Sequence, residues 1–367
     1  MSAADESAGS DSDRLYLQAC IELAEQGRHT CAPNPTVGCI IVRHGVVLGR
    51  GWHQYAGQGH AEVNAIADAG GDVRGATVYV SLEPCSFEGR TPACAATLVE
   101  EGVGRVVVAA LDPHPQVAGE GLRMLQRAGI EVDVVALPEA LELIAGYILR
   151  ITQKRPLVRI KTASSLDGAT ALADGRSQWI TGAAARSDVQ RLRARSDAII
   201  TGVGTVLADD PALTVRDEQL APFRQPLRVV LDRRLRTPPD CKLISDGHPT
   251  LVVHEDTARA GPEWETAPGV MLLALADVAP GAVLEHLAEM GCNEVLVEAG
   301  PTVVGSFVSH AAWDLWVAYL APKLLGTQTR PVADFVIADL QSAPRGRTLD
   351  VTPVGDDIRI TLEPSGE

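Results

Sequence analysis

The chain has 367 residues, 46% of them hydrophobic and 22% charged, which is the balance of an ordinary globular enzyme and enough for two domains. A formal net charge of −15 repels polyanions, so long nucleic acid is excluded as a partner unless a local basic groove exists. No apolar run approaches the roughly 20 residues a membrane-spanning helix needs, and the odd count of seven cysteines does not make a secreted disulfide framework.

Residues Met1 to Asp13 are acidic and small, with neither a basic region nor an apolar core, and read as a frayed tail rather than a signal peptide. A cytoplasmic protein is expected, with its cysteines reduced and, apart from Cys85 and Cys94, mostly buried. Leu15, Leu17, Ile21, Leu23 and Ala24 recur at helical spacing up to a stop at Gly27. Val37 to Val42 is a β-branched run, and a turn at His44-Gly45 leads to a second strand at Val46 to Leu48, which predicts a hairpin. Before it, Pro33 and Pro35 restrict the backbone around Asn34, whose amide is either a simple turn residue or a reader of a heterocycle edge.

A glycine-rich stretch from Gly49 to Gly59 delivers the chain to His60-Ala61-Glu62, at the start of a helix predicted to end near Ala69. A strand follows at Val78 to Leu82. Pro84-Cys85 then opens a turn through Gly89-Arg90-Thr91-Pro92 into a helix from about Ala93 to Glu101, with Cys94 in its first turn. Taken singly, these pieces are weak: an isolated cysteine is more often a small buried residue than a ligand, and two cysteines nine apart are able to form a disulfide. In this order they offer one imidazole and two thiolates, three ligands for Zn²⁺ with a fourth tetrahedral position open to water. Glu62 follows the histidine as a general base that is not itself a ligand, the pattern of the zinc deaminases. The spacing of the two cysteines is wider than in the common nucleoside deaminases, so the insertion should shape a different pocket.

Strands at Arg105 to Ala110 and Ile130 to Val135 flank a helix at Leu122 to Ala128, which gives an α/β three-layer domain with a partly parallel sheet. The sequence turns basic and polar at Arg150, Lys154 and Arg155, and the domain boundary is placed there. The expected organisation is a tail over 1–13, a first domain over 14–153 and a second over 154–367. The second half again alternates. Strands are expected at Leu157 to Thr162, Ala198 to Thr201, Leu227 to Asp232, Thr250 to His254, Glu294 to Glu298, Val317 to Ala321 and Ile358 to Leu362. Helices are expected at Ala183 to Ala194, Ala282 to Met290 and Thr302 to Ser309.

In this half, Glu298-Ala299-Gly300-Pro301 joins a strand to a helix whose free N–H groups make an anion site suited to a dinucleotide pyrophosphate. A second glycine turn, Thr201 to Thr205, lacks the last small residue of the Rossmann fingerprint, because Leu207 stands in its place; a Rossmann fold is disfavoured. Arg193 and Arg216 are either solvated surface arginines or bidentate phosphate ligands, and Arg233 and Arg234, after the Leu227 to Asp232 strand, are candidates to meet a 2′-phosphate of NADPH.

With these residues together, the chain resembles the bifunctional riboflavin-biosynthesis deaminase and reductase family over nearly all of its length after about residue 14. The resemblance rests on Pro33-Asn34-Pro35, His60-Ala61-Glu62, Leu82-Glu83-Pro84-Cys85 through Cys94, Ser165-Leu166-Asp167-Gly168, Ser177 to Thr181, Val206 to Pro211 and Glu298 to Pro301. It implies a cytidine-deaminase-like N-terminal domain and a dihydrofolate-reductase-like C-terminal domain, both α/β. It implies zinc on His60, Cys85 and Cys94, with Glu62 as proton shuttle.

NADPH contacts are implied at Ala163, Trp179, Thr205, Asp209 and the turn Gly300, Pro301, Thr302, Val303, Val304, Gly305, Ser306. Ser177, Arg193, Leu213, Arg216 and Glu298 are implied to touch the sugar phosphate. The partners so implied are a phosphorylated pyrimidine and a second copy of the chain, paired through the reductase domain, with no membrane and no nucleic acid.

Two places depart from the family pattern. Ser86-Phe87-Glu88 stands where Ser-His is common, and Asp112-Pro113-His114-Pro115 stands where Asp-Pro-Asn-Pro is common. Phe87 is suited to stack on a pyrimidine but cannot donate a hydrogen bond, while Arg90 keeps a positive charge for the phosphate. The competing readings are a paralogue acting on a related pyrimidine, a base deaminase of nucleic acid, which the charge and the 4% aromatic content oppose, and a zinc-stabilised interaction protein.

Overall fold

Ser10 caps the first helix by accepting a hydrogen bond from the Asp13 N–H, and the Asp13 carboxylate accepts one from the Ser10 N–H. Order therefore begins before the hydrophobic pattern does. In this computed structural model Asp11–Ala24 is helical (α1), and residues 11–13, expected in the tail, belong to it. Asp13 is only 3% exposed and is gripped by Arg105 at 2.9 and 3.1 Å and by the Tyr79 hydroxyl at 2.9 Å. The structure describes residues 10–87, 92–115, 117–264 and 267–365; residues 1–9 of the expected tail, and Glu88, Gly89, Arg90 and Thr91 of the cysteine loop, lie outside them.

The chain divides into two units, Met1–Gln153 and Lys154–Glu367. In the first, α1 is followed by β1 (Gly38–Arg43), β2 (Val46–Trp52), α2 (Ala61–Asp68), β3 (Thr77–Val80), α3 (Cys94–Glu100) and β4 (Arg105–Val108). Then come α4 (Glu120–Arg127), β5 (Glu131–Val134), α5 (Pro138–Leu143) and α6 (Ala145–Gln153). The sheet order is β2-β1-β3-β4-β5, with β1 antiparallel to both its neighbours and β3, β4 and β5 parallel.

Strand alternation sends Ile40, Val42, Tyr79 and Val107 to one face, against Leu17 and Cys20 of α1, Leu143 of α5 and Tyr147 of α6. It sends Ile41, Val78, Val80, Val106 and Val108 to the other face, against Ala65 of α2, Leu98 of α3 and Leu125 of α4. Each such fully buried aliphatic side chain contributes about 1.5–3 kcal/mol. The result is a three-layer sandwich.

The second unit runs β6 (Leu157–Ser165), β7 (Ala169–Leu172), α7 (Ala183–Ala194), β8 (Ala198–Gly202), α8 (Val203–Asp209), β9 (Leu227–Leu231), α9 (Lys242–Ser245) and β10 (Thr250–Glu255). It continues with β11 (Val270–Leu275), α10 (Pro280–Glu289), β12 (Glu294–Val297), α11 (Pro301–Ser309), β13 (Leu315–Ala321), β14 (Thr329–Pro331), β15 (Gly346–Val354) and β16 (Asp357–Pro364). Its nine-stranded sheet has the order β11-β10-β9-β8-β12-β6-β13-β16-β15, parallel from β11 to β13 and antiparallel beyond. Val158, Ile160, Ile200, Val295 and Val297 pack on α10 and α11, while Ile199, Val230, Val252 and Leu296 pack on α8 and α9. Among the described residues, no helix is long and apolar enough to cross a membrane.

The Asp13–Arg105 grip makes a pH prediction. Arg105 holds the Asp13 carboxyl well below the usual carboxylate range. A carboxyl depressed in the folded state contributes stability above the free-chain pKa near 3.9 and loses it as pH falls toward the folded value. Asp13→Ala should cost about 2 kcal/mol at pH 7 in urea unfolding followed by deaminase activity, and the gap to the parent should narrow as the pH falls below about 4.

Candidate active sites

In the first unit, glycine makes the approach to the site possible. A Cβ on Gly49 would lie 2.2 Å from the Ala65 carbonyl oxygen and one on Gly51 2.3 Å from the Ala65 nitrogen, so β2 lies directly on α2 only because both lack one. The chain then turns through Gly59, held by the Asn64 side-chain amide, which donates to the Trp52 and Gly59 carbonyls at 2.8 and 3.1 Å. His60 is the N-cap of α2 and Glu62 sits in its first turn, buried.

Cys85 follows β3, and Cys94 opens α3. The Ala95 N–H donates to the Cys85 carbonyl and the Cys94 N–H to the Cys85 sulfur at 3.3 Å, which holds Cys85 against the start of α3. His60 Nδ1 lies 3.2 Å from Cys94 Sγ and 3.6 Å from Cys85 Sγ, and all three ligand atoms fall within 4.8 Å of one another. Ligand bonds of about 2.1 Å to nitrogen and about 2.3 Å to sulfur require such separations in a tetrahedron, so the donor set fits zinc.

The contact with Cys94 pulls the Cys85 thiol down to about 4, and the same contact, with burial, pushes Cys94 up. The bond with Cys85 raises His60, and burial raises the Glu62 carboxyl.

These residues open on a cavity of ≈470 Å³. Asn34 lines it, its amide nitrogen 2.9 Å from His53 Nε2, while His53 Nδ1 lies 3.1 Å from the Gly59 carbonyl. Glu83 is buried and accepts N–H bonds from Asp112, Gly119 and Gly121, holding together the loop between β4 and α4. Tyr147 and Arg150 also line the cavity and were missed from the sequence, where α6 was read only as a boundary. The apolar spacing of Tyr147, Ile148 and Ile151 was the available signal.

In the second unit a cavity of ≈980 Å³ lies at the C-terminal ends of the parallel strands β6, β8, β9 and β12, where open α/β sheets bind ligands. Ala163, Thr205, Asp209, Gly300, Pro301, Thr302, Val303 and Ser306 line it, with Ser177 and Glu298. The Gly300 N–H donates to Thr205 Oγ1 at 3.2 Å, which ties the N-terminus of α11 to α8. The free N–H groups there suit a pyrophosphate, and Arg233, Arg234, Arg236 and Arg330 bring positive charge to the rim, so the residues fit NADPH. Arg236 and Arg330 were not singled out in the sequence, since nothing local marks them.

Other expected residues stand elsewhere. Val304 is fully buried in the core, and Gly305 packs so tightly that a Cβ would lie 2.0 Å from the Asp334 carbonyl oxygen. Trp179 is 63% exposed, with the Arg186 guanidinium 4.4 Å over its ring, and is not among the lining residues. Arg193 is buried and lies behind the cavity wall, donating to Glu298 at 2.9 and 2.8 Å and to the Thr214 carbonyl at 3.0 Å. Lys161 approaches Glu298 at 3.7 Å. Burial opposes the Glu298 charge, yet Arg193 and Lys161 hold its carboxyl at about 2. Leu213 is buried, and Arg216 is exposed, its N–H bonded to Gln190.

A His-Cys-Cys cluster beside a buried glutamate in one unit, and a glycine-edged cofactor cavity outside a Rossmann fold in the other, define a zinc-dependent deaminase joined to a reductase. Comparison with known proteins agrees for both halves. Residues 10–110 match the cytidine and deoxycytidylate deaminase zinc-binding region, and residues 156–358 match the RibD C-terminal domain. The riboflavin biosynthesis protein RibD of Escherichia coli (strain K12) is 42% identical, over 95% of this chain and 99% of its own, and that of Haemophilus influenzae 41%, over 97% and 99%. Among solved structures, Acinetobacter baumannii RibD (form 2) superposes with a TM-score of 0.89 at 40% identity, over 96% of this chain and 99% of its own. A deaminase/reductase from Thermotoga maritima gives 0.86 at 33% identity, with the same coverage. The chain belongs to the RibD family of bifunctional riboflavin-biosynthesis enzymes, with zinc as the cofactor of its deaminase half and NADPH as that of its reductase half.

Proposed function

We propose that the first unit hydrolytically deaminates 2,5-diamino-6-ribosylamino-4(3H)-pyrimidinone 5′-phosphate, and that the second reduces the ribosyl group of the resulting uracil to ribityl. The product is 5-amino-6-ribitylaminouracil 5′-phosphate. The observation that carries this is the convergence of His60, Cys85 and Cys94 on one another, with His60, Cys85 and the buried Glu62 lining one cavity. The substrate follows the solved Thermotoga maritima relative, described as a diaminohydroxyphosphoribosylaminopyrimidine deaminase/5-amino-6-(5-phosphoribosylamino)uracil reductase.

His60, Cys85 and Cys94 would hold the zinc, which supplies electrophilic activation of water when bound. Glu62 does the proton work: its carboxylate takes a proton from water and returns it to the departing amine. In the reductase unit, Ala163, Trp179, Thr205, Asp209 and the Gly300 to Ser306 turn are assigned to NADPH, which supplies the hydride for C1′ of the ribosyl group. Arg233 and Arg234 are assigned to its 2′-phosphate. Ser177, Arg193, Leu213, Arg216 and Glu298 are assigned to the sugar phosphate, Arg193 acting through Glu298. Asp209 is assigned to steering the proton; burial raises its carboxyl, and Arg330 opposes that.

The chain is further assigned to the cytoplasm and to a homo-oligomer paired through the reductase unit. Exposed Leu349 and Val351 on β15, at the edge of the large sheet, support the pairing. Removing the metal with a chelator should abolish ammonia release while leaving NADPH oxidation on preformed uracil substrate within about twofold, and added zinc should restore the first. Ammonia release that survives complete removal would refute the zinc assignment.

A further inference from the structure

Ser165-Leu166-Asp167-Gly168, at the end of β6, ties down a distant loop of the second unit. The Asp167 carboxylate accepts the Leu325 N–H at 3.1 and 3.0 Å and the Gly326 N–H at 2.8 Å, which anchors the chain that leads into β14. β14 pairs antiparallel with β7, Arg330 standing opposite Ala171, and beyond it the Asp334 N–H donates to the Pro301 carbonyl at 3.0 Å. Arg330 is thus mounted between two fixed points, and it lines the ≈980 Å³ cavity.

Its guanidinium has a defined place. A Cβ on Gly175 would lie 3.1 Å from Nη2, so the guanidinium rests against the bare backbone of the turn after β7. Burial raises the Asp209 carboxyl and the Arg330 charge opposes that rise, which sets the guanidinium across from the last turn of α8. Two short routes lead from there to the N-terminus of α11. Thr205 stands one helical turn before Asp209, about 6 Å along the axis at 1.5 Å per residue, and its hydroxyl accepts the Gly300 N–H. On the other side, four residues of chain separate Arg330 from Asp334, which bonds Pro301.

Charge bookkeeping then singles Arg330 out. Of the cations lining the cavity, Lys161 faces Glu298 at 3.7 Å, Arg233 faces Glu255 at 3.8 Å and Arg236 faces Asp232 at 3.9 Å. Among the described residues, the guanidinium groups of Arg234 and Arg330 have neither a hydrogen bond nor an ion pair. NADPH carries two anionic groups, a 2′-phosphate and a diphosphate. The first is assigned to the turn after β9, where Arg234 stands. A diphosphate at the start of α11 meets only the partial charges of a helix terminus, and a guanidinium fork from the facing strand supplies the full charge.

We propose that Arg330 binds the diphosphate of NADPH, reaching it from β14 across from the N-terminus of α11. The proposal rests on the assignment of the Gly300 to Ser306 turn to the cofactor. Its test is the dissociation constant of NADPH and of NADH without pyrimidine substrate, read from nicotinamide fluorescence, in the wild type, Arg330→Gln, Arg330→Lys and Gly300→Asp. Arg330 is exposed, so its substitution has no reason to disturb the fold. Gly300 is the N-cap of α11, where aspartate is a favoured residue, and a Cβ there meets nothing nearer than Thr205 Oγ1 at 3.6 Å.

Arg330→Gln should weaken NADPH and NADH by the same factor, about tenfold, because both carry the diphosphate and each loses a charge-assisted contact. Arg330→Lys, which keeps the charge without the fork, should recover part of that loss. Gly300→Asp should weaken both cofactors by placing a carboxylate beside the diphosphate. Unchanged affinities in Arg330→Gln, a loss on NADPH alone, or a rise confined to KM for the uracil substrate would overturn the proposal while Gly300→Asp still weakens both. Unchanged affinities in Gly300→Asp would overturn the assignment of the turn, and the proposal with it.

Discussion

Glu62→Gln is expected to lower ammonia release by about 10²–10⁴-fold while zinc content and NADPH oxidation on preformed uracil substrate stay at parental levels. The amide nearly preserves the shape of a buried carboxyl in the first turn of α2, so the helix and the His60 N-cap have no reason to move. What the substitution removes is the only carboxylate of that turn, and with it the group able to accept a proton from water and return it to the leaving amine. Assaying the two activities separately on one preparation tests this. Loss of both together would mean that the substitution acts through folding rather than through proton transfer.

Glu298→Ala has the second large expected effect, and it falls on the other half. Glu298 lies where β12 gives way to α11, and its two oxygens receive the Arg193 guanidinium, with Lys161 alongside. Removing it leaves a buried Arg193 without its counter-charge, a change that costs about 3–5 kcal/mol. NADPH oxidation should therefore disappear at lower temperature or urea concentration, and KM for the uracil substrate should rise, while ammonia release is spared.

The sign of the pH effect also follows. A carboxyl held at about 2, against about 4.3 in the free chain, contributes its full stability above pH 4.3 and loses it as pH falls toward 2. This pair should thus impose no pH dependence between pH 5 and 9. A change in reductase stability in that window that vanishes in the Glu298→Ala variant would contradict it.

The zinc cluster was legible in the sequence because its chemistry is local. His60 and Glu62 share one helical turn, and the two cysteines bracket one loop, so spacing alone carries the information. The alternating strands and helices were legible for a related reason: a parallel sheet buried on both faces demands apolar runs such as Val106 to Val108 and Ile199 to Ile200.

What lay hidden depends on distant partners. The start of α1 is set by Ser10 and by an ion pair with Arg105 far along the chain, not by its apolar stripe. α8 was read as a glycine turn because Gly202 and Gly204 mask a short helix over Val203–Asp209. β15 was missed because its side chains are largely exposed and carry no alternation. The reductase cavity was legible at Gly300 and Pro301, where helix-terminus chemistry is written locally. Arg236, beyond β9, and Arg330, on β14, line one cavity only when the unit has folded, and nothing near either residue in the sequence marks that. Val304 and Gly305 show the converse: a contiguous motif turns two of its seven residues into the core, since successive helical positions cannot all face one ligand.

The account stands or falls on two chemistries performed in order by one chain. Purified protein of known zinc content, supplied with the diaminopyrimidinone ribosyl phosphate, should release ammonia without NADPH. It should oxidise NADPH only after ammonia has appeared, one equivalent of each per substrate. NADPH oxidation that precedes or proceeds without ammonia release, or neither signal from zinc-loaded protein, would contradict the assignment.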